Sequence, residues 1–192
     1  MTSAHDQSQY QVRFDWGSQG ASTIAPGVDV LIVVDVLTAT KTESAVAHLI
    51  SVPQLSTAPS AAVVAGNLRN RTAVAEWVLS RQVEENKRFV VAVIAAGESC
   101  QDGSIRFAVE DHLGAGAIID ALAIVGIDYC SPEAAAACAS FTGLRYSIGH
   151  LVAASASGKA LIERGDARET GFAAQVDVSR EVPVLKEYSF QW

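Results

Sequence analysis

Val28-Asp29-Val30-Leu31-Ile32-Val33-Val34-Asp35-Val36 is a near-continuous apolar run rich in β-branched residues. A half-exposed strand alternates apolar and polar side chains. This run offers no polar face, so it reads as a strand buried on both sides in a largely parallel sheet. The chain continues as Thr38-Ala39-Thr40-Lys41-Thr42-Glu43, where Thr40 and Glu43 stand at capping-box spacing and predict a helix to about His48.

The same alternation of strand and helix recurs downstream. A second strand is expected at Ala61 to Ala65, closed by Gly66-Asn67 and followed by a helix from about Thr72 to Gln82. The third, Arg88 to Ala96, opens into Gly97-Glu98-Ser99-Cys100-Gln101-Asp102-Gly103, and a helix rich in small residues follows from about Ala108 past Ala123. Ser131-Pro132-Glu133 combines a capping hydroxyl, a proline suited to the first helical position and an acid at the positive helix end, so a helix starts there and stops near Gly143. One or two short helices are expected between Ile148 and Ala174, broken near Gly165. An extended segment runs from Val176 to Phe190, with Pro183 marking an edge or a bend. The predicted class is α/β, a three-layer α/β/α sandwich around a largely parallel or mixed sheet. Residues 1–192 read as one domain with a polar N-terminal segment of about ten residues.

Composition narrows the functions. Hydrophobic residues are 49% of the 192 and charged residues 18%, enough for a sizeable core. The formal net charge of −7 repels phosphate backbones and anionic headgroups, which argues against nucleic acid and membrane surfaces as partners. Met1 to Gln7 is polar and leads into no apolar stretch, so no export signal is read and a cytoplasmic location is expected. Cys100, Cys130 and Cys138 lack CxxC spacing and are expected as free thiols. The small face Gly114-Ala115-Gly116-Ala117 is compatible with close packing on the chain's own sheet or on a second copy in a homodimer.

Ligands in open α/β sheets bind at the carboxyl ends of the strands. Those ends offer Asp35 with Thr40 and Lys41, then Asn70, then Glu98, Glu110 and Asp111. Converging carboxylates with hydroxyls and a helix N-terminus make an oxygen-rich site suited to a hard cation such as magnesium holding a phosphate. Each residue also has a plainer explanation: Asp35 as a turn cap, Thr40 as an N-cap, Glu110 and Asp111 as first-turn acids. Ser157-Gly158-Lys159-Ala160 lacks the P-loop's earlier glycine and final hydroxyl, and Gly97-Glu98-Ser99-Cys100-Gln101 lacks the second glycine of a nucleophile elbow. Cys100 and Arg106 have the C-x5-R spacing of cysteine phosphatases, but Phe107 and the surrounding acids make chance spacing the better explanation.

Val33-Val34-Asp35-Val36-Leu37-Thr38-Ala39-Thr40, Ala65-Gly66-Asn67-Leu68-Arg69-Asn70-Arg71-Thr72-Ala73-Val74-Ala75 and Val109-Glu110-Asp111-His112-Leu113-Gly114-Ala115-Gly116-Ala117 resemble, in order, segments of the 2-phosphosulfolactate phosphatase family. The resemblance implies a magnesium-dependent hydrolase acting on a small anionic phosphomonoester of a 2-hydroxy acid. Asp35, Glu110 and Asp111 are then the catalytic and Mg2+-binding residues, with Thr40, Lys41, Asn70 and Glu98 binding substrate. Two departures stand out: Thr38 replaces the family's arginine, and the stretch from His48 to Ala61 is shorter than in the family. They leave open a catalytically degenerate homologue that binds a small anion or a partner protein.

Overall fold

A computed structural model describes residues 5–37, 61–100, 102–186 and 189–191. The decisive apolar run forms β2 (Val30–Val34), every residue of it buried. It lies between β3 (Ala62–Gly66) and β4 (Val91–Ala95), parallel to both. β1 (Val12–Trp16) pairs in parallel with the far side of β4. The short strands β7 (Val184–Lys186) and β8 (Ser189–Gln191) add antiparallel beyond β3, giving a six-stranded order β1-β4-β2-β3-β7-β8. The fold is α/β with a mixed central sheet, as expected.

Period-2 geometry sorts the strand residues into two cores. Val30, Ile32 and Val34 join one cluster with residues of α2 (Arg71–Glu84), α3 (Val109–Ile124) and α4 (Pro132–Leu144). Leu31 and Val33 join the other with Ala21 and Ile24 of α1 (Gly17–Ile24). Both faces are therefore dry, which is why the run carries no polar position.

β1 was not anticipated. Val12, Phe14 and Trp16 belong to or pack on the larger core, while the intervening Arg13 is satisfied by the carbonyls of Ile24 (3.0 Å) and Pro26 (3.2 Å). Its outer edge is closed by the chain itself. The Gln7 side chain both donates to Phe14 O (2.9 Å) and accepts from Phe14 N (3.0 Å).

Helix α4 starts as the sequence dictates, with Ser131 Oγ accepting from Ala134 N (3.1 Å) and Pro132 in the first turn. The segment expected as one or two helices holds three: α5 (Ile148–Ala154), α6 (Ala156–Glu163) and α7 (Ala167–Ala173). The extra break is made by Ser155, which caps α6 through Gly158 N (3.0 Å). Ser157-Gly158-Lys159 is thus a helix start. A Cβ on Gly158 would lie 2.1 Å from Val152 O, so close approach to α5 explains that glycine.

The small residues of α3 are spent inside the chain. A Cβ on Gly114 would lie 2.6 Å from Val36 Cγ2, and one on Gly116 would lie 2.1 Å from Ala137 O. This face packs on the chain's own sheet and on α4, so it gives no ground for a second copy there. Among the described residues no helix is long and apolar enough to cross a membrane.

Candidate functional site

The parallel register ends β2, β3 and β4 together, pairing Val34 with both Gly66 and Ala95. Asp35, Asn67 and the Ala96-Gly97 turn therefore leave the sheet along one edge. Helix α3 begins at the same edge, with Glu110 and Asp111 in its first turn.

Asp111 is the best anchored of the acids. One carboxylate oxygen accepts from Val36 N (2.8 Å) and the other from Gly97 N (2.9 Å). Only 3% of the residue is exposed. Burial, then the charge of Asp35, pushes its carboxyl well above the ordinary carboxylate range, against the opposing pull of the two amide hydrogen bonds. Gly97 sits at φ +67, and a Cβ there would lie 2.5 Å from Ile105 Cγ2, so the turn that presents its N–H requires glycine.

Asp35 is half-buried, and burial together with the charge of Glu110 raises its carboxyl to about 6. Glu110 is 2% exposed. No described residue donates a hydrogen bond to the carboxylate of Asp35 or Glu110, and no described cation pairs with either. Asp35, Glu110 and Asp111 lie close enough for their charges to act on one another, but in two roles. One has both oxygens occupied by backbone, and two have neither a donor nor a cation among the described residues.

The other expected site residues divide. Thr40 and Lys41, with the helix predicted from Thr40 to His48, lie outside the described residues. Asn70 is 3% exposed, and its amide is fully committed. Oδ1 accepts from Asn67 N (2.8 Å), while Nδ2 donates to Ala65 O (3.2 Å) and Glu181 O (3.1 Å). Asn70 fastens the end of β3 to the C-terminal segment and has no donor left for a substrate. Glu98 is exposed and pairs at 3.3 Å with Arg106 across the hairpin of β5 (Glu98–Ser99) and β6 (Ile105–Arg106). Cys100 belongs to that hairpin's turn, its N–H bonded to Ser104 O (2.9 Å). Arg106 lies in a paired strand, not at the start of a helix, so the C-x5-R spacing makes no phosphate loop. All three cysteines are free.

Beside the acids, His112 of α3 stacks on Trp16 at 6.0 Å and contacts Phe14 and Phe107. Ser140 Oγ gives its hydrogen to Ala136 O (2.9 Å), so it accepts from His112 Nε2 (3.2 Å). Burial lowers the pKa of the ring and keeps it neutral. This aromatic packing fixes the first turn of α3 against β1. The alternation Val12-Arg13-Phe14-Asp15-Trp16 was the one sequence signal that could have revealed it.

A family model described as 2-phosphosulpholactate phosphatase matches residues 52–188. The chain belongs to the 2-phosphosulpholactate phosphatase family. No curated protein matches the chain. The family match includes Asn70, Glu98, Glu110 and Asp111, whereas Asp35, Thr40 and Lys41 precede it.

Magnesium is the ion expected from the sequence. Among the described residues no group of three His, Cys, Asp or Glu side chains is arranged to hold a metal. The three-carboxylate ligand set expected from sequence is therefore not formed. Two carboxylates without donors do fit magnesium, which is commonly held by one or two acids and completed by substrate phosphate and water.

Proposed function

We propose that this family member is a phosphatase hydrolysing the phosphomonoester of a small 2-hydroxy acid, with Mg2+ between Asp35 and Glu110. The observation that carries the reading is the near-complete burial of Glu110 beside Asp35, with no hydrogen-bond donor or cation from a described residue. The raised carboxyl of Asp35 beside a second acid favours a proton or a cation there. A dianionic ester would be repelled by them alone. When bound, magnesium supplies the positive charge that joins the acids to the phosphate and stabilises charge developing on it.

The chain's own residues would orient the ester. Ala108, at the start of α3, offers no capping side chain, so the first-turn N–H groups remain for a phosphate oxygen. Asp35 in its ionised form holds the ion, and the rise of its carboxyl to about 6 makes binding weaken below that pH.

A second reading is a homologue that binds an anion without turnover. It is favoured by the full commitment of Asn70 and the outward ion pair of Glu98, two residues expected to bind substrate. Phosphate release from small phosphomonoesters separates the readings. The enzyme releases phosphate with magnesium, loses turnover in EDTA, and is inactivated by Asp35→Asn without unfolding. A folded chain that never turns over the panel supports the binding protein instead.

A further inference from the structure

The geometry points to Asp111 as a positioning residue that clamps the ends of β2 and β4, leaving ion binding to Asp35 and Glu110. The inference rests on the reading of the site as a magnesium phosphatase and divides the labour within it. The family resemblance makes Asp111 one of three ligands. The structure gives both of its oxygens to backbone amides, Val36 N at 2.8 Å and Gly97 N at 2.9 Å, on two different strand ends.

Neither amide has an alternative within the sheet. Val36 and Gly97 lie just beyond the paired residues of β2 and β4, where the ladder has ended. An unpaired N–H buried at this depth is costly, so the carboxylate is held there. Val36 follows Asp35 directly, so fixing its N–H fixes the peptide that carries Asp35. Gly97 begins the turn into the β5–β6 hairpin, so the second bond sets where that hairpin leaves the sheet. The α3 side is equally rigid. Gly114, one turn on, meets Val36 and Val34 so closely that any Cβ would overlap them. Asp111 thus transmits the seating of α3 to Asp35, as outer-shell groups orient the ligands of metal sites.

Magnesium alone is the probe, with the amide resonances of Val36 and Gly97 followed by NMR and binding followed by calorimetry. In the unaltered chain both amides should stay protected from exchange, at unchanged low-field positions, when magnesium saturates. A direct ligand role requires Asp111 to turn toward the ion; release of either amide on magnesium addition would overturn the proposal, and this arm needs no variant. Asp111→Asn keeps one acceptor oxygen and presents an NH2 group to the other N–H. It should unprotect at least one of the two amides and weaken magnesium by about tenfold to a hundredfold without abolishing it. Asp35→Asn and Glu110→Gln should abolish magnesium binding and leave both amides protected. Total loss of binding in Asp111→Asn with both amides still protected would also overturn the proposal. If the unaltered chain binds no magnesium, the proposed function fails. The clamp then stands or falls on whether Asp111→Asn frees an amide.

Discussion

Two helices of this chain begin at carboxylates, and the two beginnings are built differently. At the N-terminus of α2, Arg71 reaches Asp120 at 2.6 Å and Asp177 at 2.7 Å, and Asp177 also accepts from Thr72 N at 3.1 Å. Burial works against the Asp177 charge, yet hydrogen bonds from Arg71 and Thr72 hold its carboxyl below the ordinary range. At the N-terminus of α3, Asp35, Glu110 and Asp111 gather with no described cation, and the carboxyls of Asp35 and Asp111 are pushed up. An acid cluster that serves only the fold carries its own counter-charge. The cluster at α3 has none among the described residues, and that difference is what favours reading it as a binding site.

The comparison breaks if the α2 cluster proves dispensable. Arg71→Ala leaves Asp120 and Asp177 facing each other and removes the guanidinium from over the Phe141 ring. The cost expected is about 2–3 kcal/mol, below the value for a fully buried pair because Asp177 is partly exposed. Urea denaturation measures it, and a loss near zero would mean that solvent already screens these acids. Magnesium should not rescue this variant.

The smallest effect is expected at Glu98. Its pairing with Arg106 lies at the surface, with both side chains at least half exposed. Glu98→Gln should change stability by about 0.5 kcal/mol or less. Magnesium affinity should also be unchanged. A large loss of affinity would move Glu98 into the site and redraw the boundary between the two kinds of acid.

Much of the fold was legible because burial on both faces leaves a mark in sequence. β2, β3, β4, α2, α3 and α4 all lie where apolar runs and capping residues predicted them, within a few residues. The run Val28 to Val36 shortens to Val30–Val34: Val28 N is turned back to Ala25 O (3.2 Å) at one end, and Val36 N to the Asp111 carboxylate (2.8 Å) at the other. β1 is hard to read because its alternation spans only five residues, and so short a stretch beside a polar segment resembles a loop until its partner strand is known. At the site, acids at a strand end and a helix start were readable, since parallel topology brings such positions together. Their division of labour was not. Nothing near Asn70 in sequence announces the carbonyl of Glu181, 111 residues away, and nothing near Asp111 announces Val36.

If Asp35 lies beside Glu110 and Asp111 without a counter-charge and magnesium provides it, the stability of Asp35→Asn against the unaltered chain across pH reports it most directly. Asp35 takes up protons more readily folded than unfolded. Its contribution is fully present below the ordinary 3.8 and is lost as pH rises through about 6. Without metal, the two proteins should be equally stable near the lower limit. Above about pH 6 the variant should be the more stable by up to roughly 3 kcal/mol, the free energy of moving that carboxyl from 3.8 to about 6. Saturating magnesium should close the gap by stabilising only the unaltered chain. A gap that does not change with pH, or magnesium stabilising both proteins equally, would contradict the account.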